Sequence, residues 1–491
     1  KPLILKGVRQ VGKTWLLKEF GKRYYENTAY FNFDENEEYR QFFETTKDVK
    51  RILQNLILAS GQKIEPGVTL IIFDEVQDCP NVINSMKYFC ENAPEYHVAC
   101  AGSLLGIALA KPSSFPVGKV DFLQIDPMSF SEFLLANGDI NLADYLESVD
   151  KIEPIPDAFF NPLCEKLKMY YVAGGMPESV LMWTEARDVN AMQNALSNII
   201  SAYERDFGKH PDTSEFPKIS MIWKSIPSQL ARENKKFIYK VVKEGARARE
   251  YEVAVDWLCR AGLVHKVNNT ETARLPLDAY KDESIFKLYL NDMGLLRRMF
   301  HLDPATISQE NSLFTEFKGV MSENYALLSL LRQGHNPLYW SSGNQAEIEF
   351  LLEHKDNIVP VEIKSKESIQ AKSLSEYRKK NNPAIAVRMS LRNIQKRDCE
   401  GIRESVFDPD GFSRSTWSEE KETSLCWCDG SFDGVHGVYY TTISSYFPLQ
   451  MENRRRFLRW RWKSGGNLYR MPVSWPCGGG GIRRGSCRVP S

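Results

Sequence analysis

The sequence has no charge bias: 63 Lys and Arg residues offset 63 Asp and Glu, for a formal net charge of zero. A protein that held nucleic acid by bulk charge would show an excess of cations, so any such contact must come from a local patch. Long apolar runs are also missing. The longest candidate, VACAGSLLGIALA, falls short of the roughly 18 residues a membrane-spanning helix needs, so no membrane partner is expected. No signal-peptide pattern is visible, and a cytoplasmic location is expected. Cysteines at metal-ligand spacing are lacking as well. Of the ten, Cys79, Cys90, Cys100, Cys164 and Cys259 stand singly in helical or strand contexts and read as reduced, small apolar residues. The CWC at Cys426–Cys428 has no second pair at ligand spacing. What is present is ordinary globular material: 491 residues, 43% of them hydrophobic, enough for two to four domains.

The strongest local signal is GVRQVGKT, Gly7 to Thr14, between the apolar run PLIL and the helical-looking WLLKEF. It fills G-x-x-x-x-G-K-[ST] with Gly7, Gly12, Lys13 and Thr14. Glycines let the backbone turn tightly, so that its N–H groups converge on a phosphate. The cradle comprises Gly7, Val8, Arg9, Gln10, Val11, Gly12, Lys13 and Thr14. Lys13 supplies a cation and Thr14 a hydroxyl ligand for Mg²⁺. A strand-to-helix junction adds a helix N-terminus, which favours anions. VTLIIFDEVQ, Val68 to Gln77, is a continuous apolar run of the buried parallel-strand kind ending in two carboxylates. Ligands of such sheets sit at the strands' carboxyl ends. Asp74 is therefore expected near the loop as a metal-supporting group, and Glu75 as the base that polarises water. HVACAGS is a third buried run, ending in Ser103, a polar group able to sense a γ-phosphate.

GVRQVGKT, LIIFDEVQD and ACAGSLLG resemble the AAA+-type ATPases of the AAA_14 family, within the additional-strand P-loop class. FPVGKVDFLQIDPMSFSEF (Phe115 to Phe133) and YYVAGGMPE (Tyr170 to Glu178) are similar to it too, so the resemblance spans most of residues 1–205. It implies ATP and Mg²⁺ as cofactors, ATP hydrolysis, and a parallel sheet with the catalytic Glu on the strand next to that of Asp74. Family members usually carry a short helix before the first strand, so the natural N-terminus is expected to precede Lys1. A Gly-Arg before the last core strand is Gly118-Lys119 here. Lys119, in cis or from a neighbouring copy, is one candidate arginine-finger position, though Lys lacks the guanidinium fork, and Arg205 in YERDF is another.

Residues 206–305 change character. FIYKVVKE and EYEVAVDWLCRAG have helical periodicity, Gly262 suits a C-cap, and LVHKVNN follows as a strand. Helix, turn, helix, strand is the order of a winged helix. Lys235, Lys236, Lys240, Lys243, Arg247 and Arg249 cluster there, either as DNA-phosphate contacts or as the solvated face of a lid. FKLYLNDMGLLRRMF then resembles the K-x-Y-x-x-D-x-G-L pattern of the DUF4143 family, regularly fused to AAA_14, through Lys287, Tyr289, Asp292, Gly294 and Leu295.

Three further segments align. SENYALLSLL reads as an amphipathic helix with Glu323, AEIEFLL as a strand with Glu349, and IVPVEIKSK as a strand with Glu362 and Lys364. Glu362 and Lys364, two apart, share a strand face. Carboxylates and an ammonium on adjacent strands could form a hard-oxygen Mg²⁺ site. This resembles the PD-(D/E)xK nuclease fold from Thr315 to Arg388. The resemblance implies Glu323, Glu349 and Glu362 as metal ligands and Glu349, Glu362 and Lys364 as catalytic residues. Glu349 stands where that superfamily usually has Asp. From Cys399 the periodicity disappears. The stretch holds Trp417, Trp427, Trp460, Trp462 and Trp475, the basic-aromatic RRRFLRWRW and a Gly-rich end, and reads as disordered or frameshifted translation.

The expected architecture is α/β: a P-loop NTPase parallel sheet with helices on both faces, then a helical winged-helix domain, then a small α/β restriction-endonuclease-like domain. The expected boundaries are 1–205, 206–305, 306–393, and an atypical tail at 394–491. The expected protein is a prokaryotic Mg-dependent ATPase coupled to nucleic-acid binding or processing, with DNA and self-association as partners. The alternative is a nucleotide-dependent switch whose nuclease-like domain only binds a protein.

Overall fold

The structure, a computed structural model, describes residues 1–407 except 109–117, 150–152, 210–213, 309–311, 344–345, 365–371, 391 and 400–401, together with 416–417 and 425–426. The chain divides into two units, Lys1–Gly430 and Ser431–Ser491, and every described residue lies in the first. RRRFLRWRW and the Gly-rich end lie outside the described residues.

Five strands form the first sheet: β1 (Leu3–Lys6), β2 (Asn27–Asn32), β3 (Thr69–Asp74), β4 (His97–Ala101) and β5 (Asp121–Gln124), in the order β2-β3-β4-β1-β5. All neighbours run parallel. β3 is buried along its whole length, which is why it reads as unbroken Leu-Ile-Ile-Phe: helices cover both faces. One face carries Phe31, Phe33, Ile71, Phe73, Val98 and Cys100, alternating along their strands, against Phe43, Ile52, Leu56, Met86 and Phe89 of the helices Glu37–Thr45, Val49–Ser60 and Pro80–Asn92. The other face receives the helix Lys13–Tyr24 through its buried Leu16, Leu17 and Phe20.

The helices Glu215–Leu230, Tyr239–Val242 and Ala248–Arg260 lead into β6 (Val264–Thr270) and β7 (Asp282–Leu290), an antiparallel pair. β6 and β7 continue into a second sheet with β8 (Leu338–Ser341), β9 (Glu347–His354), β10 (Asn357–Lys364), β11 (Ile385–Ser390), β12 (Gln395–Cys399) and β13 (Ile402–Phe407). Its order is β12-β13-β11-β10-β9-β8-β6-β7. The join is the short parallel contact of Asn269 and Thr270 with Tyr339 and Trp340. The segments 206–305 and 306–393 therefore share one sheet, and two of its strands follow residue 393. β14 (Thr416–Trp417) and β15 (Leu425–Cys426) pair separately.

SENYALLSLL belongs to the helix Ser312–Arg332, and it corrects the amphipathic expectation: residues 321–330 are buried on every side. Tyr325 packs edge-on to Tyr170 and Tyr171, Asn324 exchanges hydrogen bonds of 3.0 Å with the backbone N and O of Leu290, and Arg332 donates to Pro127 O at 2.9 Å. The helix is enclosed because it packs against the P-loop side of the chain as well as the second sheet. No helix among the described residues is long and apolar enough to cross a membrane, and Cys79, Cys90, Cys100, Cys164 and Cys259 hold free thiols.

Candidate nucleotide site

The loop Gly7–Gly12 leaves β1 and delivers the chain into the helix Lys13–Tyr24. Its backbone demands the glycines. Gly7 has φ +150°, and a Cβ there would meet Ile125 O at 2.2 Å; Gly12, at φ +92°, caps the helix. No side chain caps that N-terminus, so its first N–H groups are left for a ligand. Val8 and Val11 are buried and anchor the loop. Lys13 is 7% exposed, and its Nζ donates to Gly7 O at 2.9 Å and Val8 O at 2.8 Å. Burial pushes its pKa down to about 8; Glu75 and Asp74 pull the other way, and Arg9 adds to the lowering. The ammonium thus sits in the loop, poorly solvated and without a full counter-charge.

Asp74, at the end of β3, faces this loop. Its Oδ2 accepts from Thr14 Oγ1 at 2.7 Å and from Tyr30 Oη at 2.9 Å. Glu75 adopts a left-handed conformation, φ +52°, a costly state for a side chain with a Cβ. Its Oε2 accepts from Gln77 Nε2 at 2.6 Å, from Ser103 Oγ at 3.3 Å and from Ser103 N at 3.4 Å. One expectation is corrected here: Glu75 directly follows Asp74 at the end of the same strand rather than standing on the next one. β4 lies between β1 and β3. That interposed strand is what brings Ser103 onto Glu75.

Arg9, at the tip of the loop, pairs with Asp206 at 2.7 Å, and Tyr203 Oη donates to Arg9 O at 3.0 Å. Both partners lie on the helix Val189–Asp206. The loop is thereby fastened to the middle of the chain, a link the sequence did not disclose. Lys119 precedes β5, whose Asp121 registers with Leu3, so it lies at the amino ends of the strands; the loop is at the carboxyl ends. Lys119 pairs with Glu91 at 2.9 Å, and its expected cis contact with a γ-phosphate is ruled out by that polarity. Arg205 is exposed and donates to Ser201 O of its own helix.

The second expected site assembles differently. Glu362 and Lys364 do share a face, with Nζ 3.1 Å from Oε1, and the other carboxylate oxygen accepts from Arg388 Nε at 3.2 Å. Arg388 is the direct register partner of Glu362 on β11. Glu323 is buried; Lys235 binds its Oε2 at 2.5 Å, while Lys287 at 3.1 Å and the Tyr289 hydroxyl bind its Oε1. Lys287 also reaches Glu347 at 2.6 Å. Burial opposes charge on Glu323, but Lys235 and Lys287 hold its pKa down to about 2. Glu349 accepts from Ile363 N at 3.0 Å; burial, then the charge on Glu323, raise its pKa to about 7 against the pull of Lys364, Lys235 and Lys287. Among the described residues no group of three or more His, Cys, Asp or Glu side chains is arranged to hold a metal ion. The oxygens of Glu323 are taken by Lys235, Lys287 and Tyr289, and those of Glu362 face Lys364 and Arg388, with Oε1 in an ion pair but no hydrogen bond, so the chain's own cations stand where the nuclease-like pattern implies Mg²⁺.

The remaining motif residues explain themselves. Asp292 Oδ1 accepts from Leu295 N at 2.8 Å and Oδ2 from Gly175 N at 2.6 Å. A Cβ on Gly294 would meet Ala173 O at 2.5 Å. K-x-Y-x-x-D-x-G-L thus interlocks with GGMPE, whose Pro177 lies 3.7 Å from the position of a Cβ on Gly12.

A parallel sheet of this order, with a phosphate loop after β1 and a carboxylate at the end of β3, defines a P-loop NTPase of the additional-strand class. The sequence matches the AAA domain family AAA_14 over residues 1–134, and two domains of unknown function, DUF8612 over 164–306 and DUF4143 over 318–403. Over those segments the chain is similar to proteins that join AAA_14 to DUF4143. No curated protein matches it. Solved structures similar to it include the Walker-type ATPase PABY2304 of Pyrococcus abyssi, at 12% identity, covering 61% of this chain and 90% of that one with a TM-score of 0.37. PCH-2 of C. elegans has 13% identity, 42% and 61% coverage and a TM-score of 0.22. Cdc6p of Pyrobaculum aerophilum has 10% identity, 63% and 88% coverage and a TM-score of 0.21. TM-scores this low carry no argument about function.

Proposed function

We propose that the chain is a cytoplasmic, prokaryotic ATPase that binds ATP with Mg²⁺ in the loop Gly7–Thr14 and couples hydrolysis to nucleic acid. One observation carries the ATPase: Thr14 and Asp74 are hydrogen-bonded to each other beside Lys13, while Ser103 and Gln77 hold Glu75. Residues that fit a Mg²⁺–triphosphate are thus already gathered. Mg²⁺, when bound, neutralises charge on the phosphate oxygens. Thr14 and Asp74 would hold it, directly and through water. Lys13 would exchange its loop carbonyls for phosphate oxygens, which restore its counter-charge. Glu75 would orient and polarise the attacking water, and Ser103, already bonded to Glu75, would report on the terminal phosphate. Catalysis of this kind is positioning and charge stabilisation.

Nucleic-acid contact rests on Lys236, Lys240, Lys243, Arg247 and Arg249, mostly exposed around the Gly245 turn. Helix, short helix, helix and strand pair follow the winged-helix order, which supports the same reading. The outer face of Ala248–Arg260 carries Glu250, Glu252 and Asp256, so phosphate would meet the stretch before that helix. Self-association is the route by which Arg205 or Lys119 of a second copy would reach a γ-phosphate. The alternative, a nucleotide switch whose C-terminal domain binds a protein, gains from the Glu323 carboxylate being held by Lys235, Lys287 and Tyr289.

The test is ATP turnover with and without duplex DNA. Turnover should be stimulated by DNA and lost in Lys13→Ala. Turnover surviving Lys13→Ala overturns the ATPase; turnover indifferent to DNA favours the switch.

A further inference from the structure

Four carboxylates, Glu323, Glu347, Glu349 and Glu362, meet four cations, Lys235, Lys287, Lys364 and Arg388, where helix Ser312–Arg332 covers β7, β9, β10 and β11. The chain itself supplies a cation for each of these carboxyl groups. A divalent ion would have to displace ammonium groups or leave excess positive charge in a buried place, and both are costly. Lys287 is fully buried, its ammonium bridging two carboxylates 2.6 and 3.1 Å away. Lys235 comes from the turn after helix Glu215–Leu230, and its left-handed backbone, φ +51°, is the strain accepted to reach Glu323.

We infer that Lys235 and Lys287 stand in place of a metal ion: the nuclease-like domain binds no divalent cation at Glu323 and serves as the anchor that fixes the basic segment 236–249 to the second sheet. The turn bearing Lys235 opens directly into that segment. Apolar contacts continue the attachment. Phe237 stacks on Phe286 of β7 at 5.3 Å and donates its N–H to Phe286 O at 2.8 Å, and Tyr239 meets the same ring edge-on at 6.4 Å. The Lys235–Glu323 pair would therefore set where the segment leaves the domain. This inference does not depend on ATP hydrolysis.

The experiment is a Mn²⁺ titration of the full chain without nucleotide, followed by electron paramagnetic resonance. The wild-type chain should show no saturable Mn²⁺ site that depends on Glu323. Lys235→Ala should gain a saturable site, because it frees Glu323 Oε2, and adding Glu323→Gln should remove it. Lys287→Met provides a second gain-of-site variant, and unchanged ATP binding shows that each variant is folded. A saturable site in the wild-type chain that disappears in Glu323→Gln overturns the inference. So does failure of both folded lysine variants to gain one. A parallel assay supplies an independent readout: Mg²⁺- or Mn²⁺-dependent nicking of DNA that is lost in Lys364→Ala and kept in Glu75→Gln would also overturn it.

Discussion

Lys13 is held in a place that costs it solvation, and this makes nucleotide affinity depend on pH. Only the ammonium form attracts phosphate. Its pKa in the free protein is lowered to about 8, so raising the pH through that value removes the proton before binding. ATP affinity, measured with a non-hydrolysable analogue, should be level below about pH 7. Above about pH 8 it should fall by up to about tenfold per unit. Lys13→Arg should abolish that slope. Glu75 is placed by its neighbours rather than by its own backbone, which is strained. Glu75→Gln should keep ATP binding and lose about 10²- to 10⁴-fold in kcat. Ser103→Ala, which removes one of the three hydrogen bonds to Glu75 Oε2, should lower kcat by a few-fold with KM unchanged. The motif residues were legible in the sequence because their spacing encodes a turn and a strand end. Tyr30, Gln77, Tyr203 and Asp206 were not, because their roles depend on contacts that only folding creates around the loop.

At the level of elements, close backbone approach is the device that recurs. A Cβ added at Gly294 would stand 2.5 Å from Ala173 O, so Gly294→Ala must push apart the helices Met293–Met299 and Asp157–Ala173. The loss should be about 1–3 kcal/mol in urea unfolding. The helix Ser312–Arg332 shows where periodicity misleads. The segment reads as amphipathic, yet its polar Ser322, Glu323, Asn324 and Ser329 are all buried, and Asn324 and Glu323 satisfy partners on β7. Polar residues signal water only where no polar partner waits inside. β6 reads correctly as a strand and so does the apolar end of β7, but which sheet they join depends on Asn269 and Thr270 meeting β8, and no local pattern announces that.

Across the whole molecule, two buried carboxyls of one cluster respond to pH in opposite directions. Glu349 has a raised pKa, so its protonated form favours the fold; that contribution is whole below about pH 4.5 and is lost as pH climbs through about 7. Glu323 has a lowered pKa; its contribution is present above about pH 4.5 and is lost as pH drops toward about 2. Stability measured by denaturant from about pH 4.5 to 7 should therefore decline on the order of 1–3 kcal/mol from Glu349, and Glu349→Gln should flatten that decline. The Arg9–Asp206 pair ties the phosphate loop to the helix Val189–Asp206. Asp206→Asn should loosen the loop and raise the KM for ATP, but leave the Glu75-dependent chemical step in place; an unchanged KM would show that the tether is passive.

The sequence alone determined the phosphate loop, the buried strand with its terminal Asp-Glu, and the E-x-K strand, since each is a local pattern set by backbone geometry and strand periodicity. Tertiary structure alone decided that β4 separates β1 from β3, that Lys119 lies at the wrong end of the sheet, and that the carboxylates near Glu323 are met by the chain's own cations. Those outcomes depend on which distant segments come together, and the energy of a buried charge is fixed by its neighbours in space rather than along the chain.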